Sequence, residues 1–462
     1  MSTAELAKFV LTTRYEHLPV EAIRIAKGSI LDTLGVAVAG AVEPPTRILV
    51  DYVKEMGGKP AARVWGHAFD TSPPYAALLN GTSARALDLD DVCTGWKGHP
   101  SAVLVPALFV MADIVPMSGQ DAIAAFLVAH EIGLRAHKAG GDAAFFRGAD
   151  MSLANGSFAS AAIAGRALKL NDAQMRCAFG IASCGSFGLT LSHGTHATSY
   201  QEGYGAMNGV QAALLAQCGL TAHETVFETH PHGLAHVRAG ETPDVAALVK
   251  DLGSYWAVAD MQEETGPLCP KLYPACGATH TSIEAVLGLA RDHDIDATDV
   301  EGIVTETRKY VDELLLHCHR PTTGFEGKFS MEYSLAAALL DRRISLETYT
   351  DEMVARPQAQ DLLKRVTYVH MPDDAPGNLL KQTVTIALRN GTRLSRTVEF
   401  PKGHPKNPMS WDDLVEKFLD CVEPHLGRAR ADRIVDSVTH LETVKDMREL
   451  GDALDVRKGI RS

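Results

Sequence analysis

From Ser2 to about Glu264, apolar residues recur at three- and four-residue spacing with Gly or Pro between segments, a pattern that predicts one helix after another. Ile123, Phe126, Leu127, His130 and Leu134 mark the buried stripe of one of them. Between Met151 and Gly219 the helices are rich in Ala, Gly and Ser, which lets backbones approach closely and predicts a densely packed centre. The period changes after Pro267. Ile303 to Thr307 and Val366 to Met371 read as short strands, and Val384, Ile386 and Leu388 alternate before Asn390-Gly391, a hairpin signal leading into Leu394, Val398 and Phe400. Ser330 to Asp341 reads as a helix between the strands, Pro401 to Pro408 as a linker, and helix resumes at Trp411.

The chain is therefore expected to be mainly α with a second α+β domain. Residues 1–265 form the first part of a large all-helical domain, 266–404 a smaller domain with a short antiparallel sheet, and 405–462 a helical segment that returns to the first domain.

Composition adds constraints. The 462 residues are 46% hydrophobic and 22% charged, enough for a large core. A net charge of -13 with scattered Lys and Arg argues against nucleic acid or an anionic membrane as partner. The eight cysteines include no CxxC pair, so they read as reduced packing residues, and neither a zinc nor an iron–sulfur site is signalled. No signal-peptide pattern opens the chain, and the longest apolar run, Ala102 to Ala112, is too short to span a bilayer. A cytoplasmic protein without metal or cofactor is expected.

Candidate chemistry concentrates in DLDDVCTGWKGHPSAVLVP, Asp88 to Pro106, where three acids and a histidine sit in apolar surroundings. On a helix Asp88 and Asp91 share a face while Asp90 points away, and a solvated helix end explains the acids equally well. His99 precedes Pro100, which suits the first position of a helix, so the ring is expected at a positive dipole end that lowers its pKa. It is read as a general base or acid, with Asp88 orienting it and setting its protonation, and with a helix cap as the competing role. Lys271, between Pro270 and Pro274 in CPKLYPACGATH, is a stiffly presented cation suited to a carboxylate, and His280 opens a helix from Thr281 to Leu289. In GKFSMEYSLAAALLD, Tyr333 could donate a phenol proton or simply pack.

Six segments together resemble the MmgE/PrpD family: ILDTLGVAVAG (Ile30 to Gly40), NGTSARALDLDD (Asn80 to Asp91), GHPSAVLVPALFVMAD (Gly98 to Asp113), KLYPACGATH (Lys271 to His280), EGKFSMEYSLAAALLD (Glu326 to Asp341) and GHPKNPMSWDDLVEKF (Gly403 to Phe418). The family includes 2-methylcitrate dehydratases, cis-aconitate decarboxylases and iminodisuccinate epimerases. The resemblance implies a cofactor-independent homodimer acting on a small carboxylic acid, with its active site between a helical domain and a smaller lid. It carries the family's site pattern onto Asp88, His99, Lys271 and Tyr333.

Two further positions depart from that pattern. Asp150 or its neighbours stand where members commonly have a His-Pro-Thr-Ser segment, and HATSYQEG puts Thr198 at a customary lysine and Gln201 at a customary histidine. Each cation lost opposite a substrate carboxylate removes a bond of about 1.5–3 kcal/mol, which disfavours tricarboxylates. Asp150 instead favours a cationic or hydroxyl group, with His193 or His196 as possible replacements and Asp150, His196, Thr198 and His280 as substrate-binding candidates. The expected function is a dehydratase-type lyase that removes a proton next to a carboxylate; a decarboxylase, a racemase or epimerase, and a non-catalytic small-acid binder remain open.

Overall fold

The computed structural model describes residues 1–240, 242–263, 265–372 and 380–457. Its centre is a group of tightly packed helices: Pro73–Ala86, Pro100–Ile114, Met151–Ala167 and Ala197–Gln217. Small residues make this possible, as expected. A methyl group on Gly81 would lie 2.7 Å from the Gly203 α-carbon, so these two backbones touch only because neither residue has a side chain. The Pro100–Ile114 helix is buried along nearly its whole length and starts at the proline, whose missing N–H is not needed there. Among the described residues no single helix is long and apolar enough to cross a membrane.

Apolar side chains form two principal clusters. The first runs from Leu6 to Leu268 and resumes at Phe418, and the second spans Tyr273 to Ile386. The second is built on a four-stranded sheet in the order Val366–Met371, Val300–Arg308, Gln382–Leu388, Arg393–Val398. Its last two strands form the expected hairpin, with Gly391 at a φ of 88° in the turn. The sheet is mixed rather than purely antiparallel. Val300–Arg308 pairs parallel with Val366–Met371, and the intervening chain, which contains the helix Met331–Asp341, makes the crossover such a pair requires. A separate two-stranded antiparallel ribbon joins Ala62–Arg63 to Asp70–Thr71.

The helix Trp411–Leu426 packs on Val20–Gly40, bringing the end of the chain back to its beginning. Lys417 fixes this contact from within the core, its Nζ 2.6 Å from Asp32 and 2.8 Å from the carbonyl of Leu89. Pro401 to Pro408, expected as a linker, is instead largely buried, and Pro401, Lys402, Gly403 and His404 line a cavity together with Arg85, His99 and Lys271.

Replacing Lys417 by Met leaves Asp32 buried without its counter-charge, and should destabilise the protein by about 3–5 kcal/mol near neutral or higher pH. Burial raises the Asp32 pKa despite Lys417, so the deficit should shrink in acid as the carboxyl takes up a proton. Guanidinium unfolding reads this directly; a loss under about 1 kcal/mol above neutrality would contradict it.

Candidate active site

The Pro73–Ala86 helix ends before the acidic run begins, so the acids are not arranged on a helix face. Asp88 takes a left-handed φ of 53°, and the following loop sends each carboxylate to a different partner. All are buried, with exposures of 2%, 0% and 0% for Asp88, Asp90 and Asp91, which rules out the solvated helix end. Asp88 is held by Arg85 and by Lys271 Nζ at 2.5 Å. Asp91 accepts from the Ser101 N–H at 3.1 Å and from its hydroxyl, capping the next helix. Asp90, expected to point away, is the acid that faces His99, at 3.2 Å from Nδ1. Asp88, expected to orient that ring, is engaged elsewhere.

His99 is at the N-cap position, but its ring caps nothing. Its backbone N–H donates to Ser152 Oγ at 3.0 Å, and the ring Nδ1 lies 3.0 Å from the Asp91 carbonyl. Both neighbours of Nδ1, that carbonyl and the Asp90 carboxylate, are acceptors, so Nδ1 carries the hydrogen of the neutral ring. Nε2 then has the lone pair, has no protein partner among the described residues, and belongs to a ring that lines the cavity. The ring's pKa is lowered, first by burial and then by the Arg85 charge, with Asp90 opposing. A dipole was expected to do this; desolvation and a guanidinium do it instead.

Lys271 reaches the site because its loop is tied to the acidic loop. Val92 and Cys269 exchange two backbone hydrogen bonds of 3.0 and 2.8 Å, and Lys271 Nζ also donates to the Asp88 carbonyl at 3.0 Å. Lys328 donates to the Ala86 carbonyl at 2.9 Å, and burial pulls its pKa down to about 8. With Lys417 on Leu89, three lysines from three separate segments satisfy carbonyls where one helix ends.

Two charged residues were missed in the sequence. Arg85 donates to Asp88, approaches Asp90 at 3.4 Å and binds Glu202 at 3.1 Å, all inside the protein. Two cations, Arg85 and Lys271, thus face three carboxyls, Asp88, Asp90 and Glu202. Glu202 is the one left protonated: burial pushes its pKa up to about 8, whereas Arg85 and Lys271 hold Asp88 well below the usual carboxylate range.

The cavity has a volume of about 160 Å³; Cys93 of the first apolar cluster and Ala278 and Val311 of the second line it, together with Arg85, Asp88, His99, Asp150, Lys271 and His280. Asp150 caps the Met151–Ala167 helix through the Leu153 N–H at 2.9 Å and lies 3.9 Å from His193, which also lines the cavity. Burial would raise the Asp150 pKa, but His193 and the Leu153 N–H more than offset it, so it is lowered. His280 is buried, its pKa pushed down to about 3 by burial and Lys271, and Nε2–H donates to the Ala275 carbonyl at 3.2 Å.

Three candidates lie outside this cavity. Tyr333 is drawn into the second core, where its hydroxyl donates to the Thr348 carbonyl at 2.5 Å and its ring packs on Tyr349; Phe329 takes the place at the wall. His196 is exposed against Phe325, since the turn before the Ala197–Gln217 helix directs it outward. Thr198 is buried, but its hydroxyl folds back onto the Ser192 carbonyl at 2.7 Å.

Among the described residues, Asp88, Asp90 and His99 alone have ligand atoms close enough together to share a metal ion. They fit one poorly, because Arg85 and Lys271 already neutralise Asp88 and a divalent cation would have to displace or repel them.

Comparison with known proteins matches residues 4–245 to the MmgE/PrpD N-terminal domain and residues 273–443 to the MmgE/PrpD C-terminal domain. The chain is similar to a cis-aconitate decarboxylase of Aspergillus terreus (strain NIH 2624 / FGSC A1156), 28% identical over 98% of this chain and 96% of that one. It is also similar to the Homo sapiens cis-aconitate decarboxylase, 27% identical over 96% and 92%. A 2-methylcitrate dehydratase of Cupriavidus necator is 26% identical over 88% and 87%.

A carboxyl whose pKa rises on folding from 4.5 to about 8 costs nothing in acid and destabilises increasingly across that interval. Relative to wild type, Glu202→Gln should therefore gain stability as pH rises through it, by at most about 1.4 kcal/mol per pH unit. Denaturant midpoints of the two proteins across the interval check this; a pH-independent difference would contradict it.

Proposed function

Because the chain belongs to the MmgE/PrpD family, we propose that it is a cofactor-independent lyase that takes a proton from the carbon next to a carboxylate of a small acid and expels a β-substituent. The observation that carries this reading is the state of His99. Its Nδ1 faces two acceptors, its Nε2 lone pair is free at the cavity, and its lowered pKa keeps the ring neutral at ordinary pH. Neutral imidazole is a base.

Lys271 stands near the same cavity wall, where it neutralises the negative charge that builds on the substrate carboxylate as the proton leaves. Asp88 positions that ammonium, and Asp90 with the Asp91 carbonyl positions the imidazole. Water loss fits a base best. The names of the decarboxylase relatives favour a second reading, in which carbon dioxide leaves and imidazolium returns a proton to carbon.

The two readings differ in sign with pH. Proton NMR in deuterated water, run on a panel of small hydroxy- and polycarboxylic acids, should reveal exchange or elimination whose rate falls as pH drops below the lowered pKa of His99. A rate that climbs with acidity over the same range would favour the decarboxylating acid. Substituting His99→Asn should lower the rate about 10²–10⁴-fold while leaving the unfolding midpoint close to wild type; an unchanged rate would exclude His99 as the base.

A further inference from the structure

Most charges at the cavity wall are already matched, and that restricts what can bind. Arg85 is engaged by Asp88, Asp90 and Glu202. Lys97 lies 3.4 Å from Asp142 and over the Phe145 ring, and Lys402 lies 2.9 Å from Asp413. Lys271 places two N–H bonds on Asp88, so one of its three donors is left, enough for a single carboxylate.

Elsewhere the wall carries a different request. His193 is stacked on Phe329 with 22° between the ring planes, and its Nε2 is 3.9 Å from Asp150 Oδ2. That gap is too long for a direct hydrogen bond and suits an oxygen that accepts from one group and donates to the other. A second carboxylate there would meet Asp150. Phe145 and Met151, packed against Tyr310 and Leu315, add an apolar surface that joins the two halves of the molecule.

Building on the lyase reading, we propose that the cleft takes a 3-hydroxy acid with one carboxylate and an apolar substituent. The carboxylate binds Lys271, the hydroxyl bridges His193 and Asp150, and the alkyl group lies on Phe145, Met151 and Leu315. His99 Nε2 takes the proton on carbon 2, and that C–H electron pair becomes the carbon 2–carbon 3 double bond. The carbon 3–oxygen bond breaks with its pair on oxygen, and His193, acting as general acid beside Asp150, supplies the proton that makes the leaving group water. The products are a 2-enoic acid and water. His99 gains the proton His193 loses, and exchange with solvent resets both.

Calorimetric binding to the full chain tests this with 3-hydroxy-3-methylbutyrate, its deoxy counterpart 3-methylbutyrate, and tricarballylate. The hydroxy acid should bind about tenfold more tightly than either of the others. Asp150→Asn, which keeps the cap on Leu153, should abolish the advantage over 3-methylbutyrate and leave binding of the deoxy acid unchanged. Tighter binding of tricarballylate, or equal binding of the hydroxy and deoxy acids, would overturn the substrate class while sparing the lyase reading. Failure of all three to bind would overturn both.

Discussion

The end of one helix organises this protein. Where Pro73–Ala86 stops, the carbonyls of Ala86, Asp88 and Leu89 have no helical partners, and Lys328, Lys271 and Lys417 supply them. Lys328 comes from the second apolar cluster's part of the chain, Lys271 from the segment that leads into it, and Lys417 from the returning tail. Joining these segments and assembling the site are therefore the same event. Arg85, on the last turn of that helix, gathers Asp88, Asp90 and Glu202 around it and adds the positive charge that, after burial, keeps His99 neutral.

What could be read from the sequence followed local rules. Pro100 fixed a helix start, Asn390-Gly391 fixed a hairpin, and the two strands flanking it appeared where alternation put them. Lys271 was legible because prolines frame it, and His99 because acids sit close by in the chain. What failed needed information that no short window holds. The assignment of Asp88 and Asp90 was reversed because the helix was assumed to continue past Ala86, and the left-handed turn at Asp88 redirects both side chains. The parallel strand pair joins residues about sixty apart, beyond any local signal. Tyr333 followed the apolar period of its own helix into the core, which was the packing alternative.

Arg85 and Glu202 are instructive misses. They lie 117 residues apart and meet only after folding. A signal did exist: each is a lone charge on a helix of Ala, Gly, Ser and Thr with little polar face to receive it. A charge with no solvated face must find a buried partner.

Asp150 with His193 at the cavity wall is the pair proposed to take a hydroxyl rather than a second carboxylate. The neutral state and orientation of one imidazole nevertheless underlie every chemical step proposed. Nitrogen-15 NMR of histidine-labelled protein, with the His99 signals identified by their loss in His99→Gln, measures both. A neutral ring protonated on Nδ1 at neutral pH, persisting below the usual histidine pKa, is the predicted result. An imidazolium at neutral pH, or a neutral ring protonated on Nε2, would contradict the account.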